Sequence, residues 1–217
     1  VSLRLKNSLT KREELFVPRS PPVVTMYTCG PTVYGRPHIG NYSSFLMADL
    51  LRRWLEVSGY EVHHVKNITD VGHLVADRDE GEDKVEMEAR RIAREHRQSE
   101  DVTMEDVLGV ARMYTEQFLE DERARNILPV DDPPHPRPRA SATIPEMLAI
   151  IAELIRRGHA YETADGVYFA VQTFPAYGKL SGNTLEQVAP GARIAVKEEK
   201  RHPADFALWK RCIGQNS

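Results

Sequence analysis

The sequence predicts an α/β fold organised around a strand–helix–strand unit near the N-terminus. Residues 23–28 form a short β-rich run without polar–apolar alternation, which is typical of a parallel strand buried on both faces. Apolar residues recur at helical spacing from Ser43 to Ser58, and a second β-rich run covers residues 60–68. A strand, a helix and a strand within about fifty residues predict a parallel, right-handed βαβ unit.

Local signals define the edges of this unit. Residues 1–20 are polar and basic, and we expect them to form an extended arm. Gly59 directly follows the helical pattern, where a glycine favours a C-terminal stop. Asp49 and Arg53 predict an ion pair opposite the apolar stripe of the helix. That stripe consists of Leu46, Met47, Leu50, Leu51, Trp54 and Leu55.

Beyond Asp70 the sequence predicts a module of helices and a hairpin. A highly charged helix with little apolar surface is expected over residues 85–98. A second helix is expected to start at Thr103, where Asp106 completes a capping box. Five prolines between residues 129 and 138 exclude a helix there.

Three elements are predicted in the last third of the chain. Thr143 and Glu146 indicate a capping box at the start of an amphipathic helix. A β-hairpin is expected over residues 159–171, with its turn at residues 165–166. Residues 206–209 predict a buried strand, and we expect the run over residues 205–210 to begin a return to the parallel sheet.

Composition narrows the functional classes. The net charge of −3 gives no overall electrostatic argument for nucleic-acid binding, so any such role depends on local patches. We expect no membrane association, because no apolar run approaches the ~18 residues of a membrane span, and we expect no secretory leader. Cys29 and Cys212 are too few and too distant for a disulfide framework, which favours a cytoplasmic location.

Residues 26–41 combine several features of a nucleotide site. The predicted strand breaks at Cys29-Gly-Pro31, and His38-Ile-Gly-Asn41 stands just before the amphipathic helix. The N–H groups and dipole of a helix N-terminus favour a phosphate, Gly40 permits close backbone approach, and an imidazole can donate to a phosphate in the transition state. The alternative for His38 is a loop histidine beside a helix cap.

Other candidates lie at the ends of the two strands. Cys29 is either a small buried apolar residue or a thiolate ligand of Zn²⁺, a site for which the local sequence supplies one of the three or four ligands needed. Asn67 and Thr69 follow the second strand, and ligands of open α/β sheets bind at this edge. We therefore expect both to contact the same ligand as Cys29 and His38, with ordinary turn chemistry as the alternative.

Several strings together resemble a known family. They are Cys-Gly-Pro-Thr-Val-Tyr at 29–34, Pro-His-Ile-Gly-Asn at 37–41 and Asn-Ile-Thr-Asp-Val-Gly-His-Leu at 67–74, with further strings at 5–11, 81–84, 177–182 and 205–210. These strings are similar to those of the cysteinyl-tRNA synthetases, which are class I aminoacyl-tRNA synthetases. The resemblance covers nearly the whole chain.

The resemblance implies the N-terminal half of a class I Rossmann-like nucleotide-binding fold with an α+β connective insertion. Residues 1–75 would form the first half of the catalytic domain with its N-terminal arm. Residues 76–204 would form the connective insertion, and residues 205–217 would start the return to the catalytic sheet.

The resemblance also implies ATP-dependent activation of L-cysteine to cysteinyl-adenylate and its transfer to tRNA(Cys), with ATP used together with Mg²⁺. His38 and Asn41 would be catalytic, and Cys29 would be one of four ligands of an active-site zinc that selects cysteine. The ATP and adenylate site would comprise Gly30, Pro31, Thr32, His38, Gly40 and Asn41. The cysteine site would comprise Cys29, Gly30, Asn67 and Thr69.

Features of that family are missing from this sequence. The remaining zinc ligands and the second ATP loop have no counterpart, and Cys212 does not match the second ligand, so we expect a fragment that is inactive alone. Two alternatives stay open: a non-catalytic half-synthetase that acts as a binding module, and a ligase that passes cysteine to a small amine, as in mycothiol synthesis. The strings at 31–34 and 67–73 favour the tRNA enzyme.

Overall fold

The computed structural model describes residues 3–72, 83–97, 101–130, 136–183 and 200–211. These residues form a mixed α/β chain in two compact units, Val17–Ile144 and the combination of Ser2–Phe16 with Pro145–Ser217. In chain order the elements are β1 Arg4–Lys6, β2 Glu13–Leu15, β3 Val23–Thr28, α1 Ile39–Val57, β4 Glu61–Lys66, α2 Lys84–Arg97, α3 Met104–Ala124, α4 Ile144–Arg156, β5 Ala160–Thr163, β6 Gly166–Phe169 and β7 Phe206–Lys210. Within the described ranges, no helix is both long and apolar enough to span a membrane.

The first unit contains the predicted pair of parallel strands. β3 and β4 run parallel in register, from Val23 opposite Glu61 to Thr28 opposite Lys66, which confirms the predicted pairing. The expectation that residues 23–28 are buried on both faces is wrong, because Tyr27 is exposed on the side of the pleat opposite the buried Val24.

Helix α1 begins at Ile39, earlier than the apolar pattern alone predicts. The ring of His38 accepts a hydrogen bond from the N–H of Gly40, and the side chain of Asn41 accepts one from the N–H of His38. This reciprocal capping box adds a full turn to the helix. At the other end Gly59 adopts a φ of +89°, which confirms the predicted stop.

The buried face of α1 differs from the predicted stripe. Its buried residues are Tyr42, Phe45, Ala48, Asp49, Arg52 and Leu55, whereas Met47, Leu50 and Trp54 are exposed. Asp49 forms the predicted ion pair with Arg53 at 2.7 Å but is itself buried. The cause is the connection after α3: Asp49 accepts from the N–H of Leu128, and Arg52 donates to the carbonyl of Pro129.

Helices α2 and α3 complete the core of the first unit. The predicted capping box of Thr103 and Asp106 is confirmed at the start of α3. The expectation of little apolar surface on α2 misses a narrow stripe of small residues, in which Val85 and Ala89 are buried. The core cluster consists of Val33, Tyr42, Phe45, Ile68, Val85, Ala89, Val107, Val110, Ala111, Phe118 and Ile127.

The described end of the Pro-rich stretch lies alongside β4 and its extension. The N–H of Ile68 donates to the carbonyl of Pro138, and the N–H of Ala140 donates back to Ile68. A parallel bridge joins Ile68 to Arg139. The prolines therefore exclude a helix, as predicted, while their carbonyls still accept hydrogen bonds from the sheet.

Two further expectations are wrong. Of the extended arm expected over residues 1–20, residues 4–15 instead form a hairpin, in which β1 and β2 pair antiparallel. The capping box expected of Thr143 and Glu146 is also wrong. The hydroxyl of Thr143 donates to the carbonyls of Arg139 and Ala140, because a 3₁₀ turn at Ser141–Thr143 leads directly into α4.

The predicted hairpin is confirmed as β5 and β6, with Thr163 opposite Gly166, so its turn lies one residue earlier than expected. β7 pairs antiparallel with β6, so for the described residues the expected return of 205–217 to the parallel sheet is wrong. The buried carboxylate of Asp205 explains this path, since it binds the hydroxyl of Tyr161 at 2.7 Å and the N–H of Val171 at 2.9 Å. The proposed boundaries at 75 and 204 stay predictions.

Candidate functional site

The ends of β3 and β4 meet in one cluster of hydrogen bonds. The N–H of Gly30 donates to the side-chain oxygen of Asn67 at 2.9 Å. Thr32 and Thr69 form a parallel bridge, in which the N–H of Thr69 donates to the carbonyl of Pro31. The structure thus brings the segment from Gly30 to Thr32 (the first string) together with the segment from Asn67 to Thr69 (the second string). Among the described residues, the hydrogen bonds of His38 lie within the cap of α1, so a ligand shared by all these residues stays a prediction.

Gly30 is required at this junction by space. A Cβ atom built on Gly30 would lie 1.7 Å from the backbone oxygen of Asn67, far inside van der Waals contact. The amide of Asn67 is also held from its other end, because its Nδ2 donates to the hydroxyl of Thr69 at 3.1 Å. These two bonds fix which end of the Asn67 amide faces Gly30.

His38 is itself the N-cap of α1, and its expected role toward a phosphate stays a prediction. Its Nδ1 accepts from the N–H of Gly40 at 3.0 Å, so the ring is the cap of α1. In a neutral ring this bond places the proton on Nε2, which makes Nε2 a hydrogen-bond donor. His38 is exposed, and a Cβ on Gly40 would lie only 2.8 Å from the Cε1 of His38. The absence of a side chain on Gly40 therefore leaves room for the His38 ring in its capping position.

A buried ionic cluster lies next to Asn67, and sequence reasoning missed it. Lys66 pairs with Glu122 at 2.6 Å, and Arg137 pairs with the other oxygen of Glu122 at 2.8 Å. All three side chains are at least nine-tenths buried. A usable signal was present, because Glu122 lies four residues after Phe118 and continues the apolar stripe of α3.

Asp70 anchors the segment that follows the Pro-rich stretch. Its carboxylate accepts from the N–H of Ser141 at 2.9 Å and from the Ser141 hydroxyl at 2.6 Å. Asp70 is itself buried. The second string therefore contacts the first string at Asn67 and Thr69 and holds Ser141 at Asp70.

Cys29 is an exposed free thiol, so the interpretation as a buried apolar residue is wrong. Across the described ranges, no group of three or more His, Cys, Asp or Glu side chains is arranged to hold a metal ion. The donor set around Cys29 in this part of the chain does not fit a zinc site, and its role as a ligand stays a prediction. Cys212 and His73 lie outside the described residues.

Comparison with known proteins defines the class. Residues 15–217 match the family model of the tRNA synthetases class I (C) catalytic domain. Because this match covers most of the chain, the chain belongs to the class I tRNA synthetase family.

The relatives specify the kind of synthetase. The chain is 47% identical over 206 residues to the cysteine–tRNA ligase of Chlorobium luteolum, which covers 94% of this chain and 40% of that protein. It is 45% identical over 210 residues to the cysteine–tRNA ligase of Thermus thermophilus, and this match covers 97% of this chain and 41% of that protein. The resemblance found in the sequence is confirmed, and the chain spans about 40% of the length of these curated relatives.

Proposed function

We propose that this chain supplies ATP- and cysteine-binding segments of a cysteine–tRNA ligase, which forms cysteinyl-adenylate and transfers L-cysteine to tRNA(Cys). The observation that carries the proposal is the bond from the Gly30 N–H to Asn67, which joins the two strings of the family at one sheet edge. The relatives are named cysteine–tRNA ligases, which favours tRNA over a small amine as acceptor. A cytoplasmic location accompanies this proposal.

His38 is proposed to act on the phosphates of ATP, which enters as its Mg²⁺ complex. The ring already accepts from Gly40 through Nδ1, so the group left for the phosphate is the Nε2–H. A donor that is fixed before the reaction stabilises charge on phosphate oxygens as the carboxylate of cysteine attacks the α-phosphate, the α–β phosphoanhydride bond breaks and pyrophosphate leaves. Asn41 supports this geometry, because its side chain holds the backbone of His38 at 3.0 Å.

The other side of the site is proposed to bind the amino acid and the adenylate. The backbone from Gly30 to Thr32 would line the adenylate, with Cys29 at its start. The Thr69 hydroxyl oxygen accepts from Asn67, which directs the hydroxyl proton away from Asn67 and toward a ligand. No step is assigned to a metal, since the described donors do not form a metal site.

The test is calorimetric titration of the purified chain with a non-hydrolysable sulfamoyl analogue of cysteinyl-adenylate. We expect binding, and we expect Asn67→Ala to weaken it at least about tenfold, because the part-buried hydrogen bonds of Asn67 to Gly30 and to Thr69 are lost. Glu120→Ala, an exposed change on α3, is the matched control. Absence of binding by the wild-type chain, or equal affinity in Asn67→Ala, would contradict the proposal.

A further inference from the structure

We propose that two adjacent carboxylates in the last turns of α3, Asp121 and Glu122, are positioning residues for the candidate site. Asp121 contacts the segment that carries His38, and Glu122 contacts the residue beside Asn67. One turn of α3 would thereby hold the segment that carries His38 and the segment that carries Asn67 in fixed positions relative to each other.

Asp121 contacts residues on both sides of His38. Its Oδ2 accepts from the hydroxyl of Tyr42 at 3.2 Å and lies 3.7 Å from the guanidinium of Arg36. Tyr42 is fully buried and is the fourth residue of α1, and Arg36 lies two residues before the cap. Arg125 covers the Tyr42 ring at 4.0 Å and pairs with Asp121 at 3.2 Å. The capped start of α1 is therefore held to α3 chiefly through the buried Tyr42, because the side chain of Arg36 is 59% exposed.

Glu122 contacts the second string from the same turn. Its carboxylate pairs with Lys66, which is the last residue of β4 and directly precedes Asn67. Its other oxygen pairs with Arg137, whose guanidinium also donates to the carbonyl of Val130. Because these groups are buried, moving Glu122 would leave two cations without their shared anion.

The ion pair between Arg112 and Glu105 shows the contrast. Arg112 pairs with Glu105 on the same helix, with both side chains more than half exposed. Such surface pairs contribute little to structure. By contrast the side chains of Asp121 and Glu122 are 20% and 4% exposed, and their partners belong to the segments of the site. Position, burial and partners together distinguish these two carboxylates.

The role assigned to these residues rests on the function proposed above, so the test is made without nucleotide and can fail independently of it. Isotope-labelled chain is compared with Asp121→Ala, Asp121→Asn and the control Glu120→Ala. Two signals are measured by NMR: the nitrogen shifts of the His38 ring, which report its tautomer, and the solvent exchange of the Gly40 and Asn41 amides.

We expect Asp121→Ala to mix the His38 tautomers and to speed exchange of both amides about tenfold relative to Glu120→Ala, since a charge-assisted bond to Tyr42 is lost. Asp121→Asn keeps an acceptor for Tyr42 and should restore most of both signals. Equal spectra in Asp121→Ala and Glu120→Ala would overturn the assignment of Asp121.

A second variant tests the same contact in case the first variant does not fold. If Asp121→Ala unfolds, Tyr42→Phe removes only the hydroxyl that Asp121 accepts, and the same two signals should move in the same direction. For Glu122, Glu122→Gln should broaden or shift the Asn67 side-chain amide and the Gly30 amide. Unchanged signals from Gly30 and Asn67 in a folded Glu122→Gln chain would overturn the role of Glu122.

Discussion

The N–H of Gly30 lies 2.9 Å from the side-chain oxygen of Asn67, which is 37 residues later in the chain. This bond joins the segment after β3 to the segment after β4. A Cβ on Gly30 would lie 1.7 Å from the backbone oxygen of Asn67, which explains the glycine at this position. The hydrogen bond is the contact on which the proposed adenylate site depends.

Gly30→Ala should destabilise the first unit by about 3 kcal/mol, the upper end for overpacking, because the new methyl would meet the rigid backbone of Asn67 at 1.7 Å. Gly35→Ala in the same loop is the matched control, since a Cβ there has no neighbour within 4 Å. Urea denaturation measures both. If the two variants are equally stable, the close approach of Gly30 to Asn67 is incorrect.

Gly40→Ala should change the position of the His38 ring without a large change in the free energy of unfolding. Alanine gains about 1 kcal/mol of helix propensity, but its methyl would displace the ring and lose a cap of about 1 kcal/mol. We expect little net change in the free energy of unfolding, together with a change in the tautomer signal of His38. Gly109→Ala in α3 has no contact closer than 3.9 Å and should gain the full propensity term. Equal stabilisation of both variants would show that the His38 ring does not cap α1.

The buried cluster of Lys66, Glu122 and Arg137 predicts that substitutions of its anion and of one of its cations lower stability by different amounts. Glu122→Gln leaves the cations of Lys66 and Arg137 buried together and should cost about 3–5 kcal/mol. Lys66→Met leaves the pair of Glu122 with Arg137 intact, so it should cost clearly less. Glu105→Gln, in an exposed pair, should cost at most about 1 kcal/mol. A larger loss in Lys66→Met than in Glu122→Gln would contradict this arrangement.

The raised pKa of the Tyr42 hydroxyl predicts that the folded chain loses stability at alkaline pH. Its burial, followed by the nearby Asp121 carboxylate, raises its pKa above the ordinary value of 10.0. The unfolded chain therefore releases this proton first, so the free energy of unfolding should fall as the pH rises above about 10. Tyr42→Phe should flatten this fall, which urea midpoints at several alkaline pH values would measure. The same variant at neutral pH gives the cost of the lost hydrogen bond alone.

The sequence predicted what depends on local pattern. The parallel pairing of β3 with β4 follows from β-rich runs on either side of a helix, and the closeness of Gly30 and Asn67 follows from both lying at the carboxyl edge of that pair. The cap formed by His38 itself was not predicted, since the alternative placed this histidine only beside a helix cap. A histidine seldom serves as an N-cap, and its partner Gly40 gives no signal by itself.

What the sequence did not predict depends on contacts between distant residues. Asp49 is buried because the N–H of Leu128, 79 residues later, needs an acceptor. β7 joins β6 because the buried Asp205 fixes the turn before it. Neither partner is visible in a local window, since helical spacing and strand propensity do not specify which distant backbone group a side chain will satisfy.

The most direct test of the central claim is an NMR titration of the labelled chain with the sulfamoyl analogue of cysteinyl-adenylate. A single site at the joined strand ends predicts that one binding constant describes the shifts of Gly30, Thr32, Gly40, Asn67 and Thr69, while the β5–β6 hairpin stays unchanged. Shifts that are confined to the residues after β3 or to the residues after β4, or that are concentrated in the second unit, would contradict this claim.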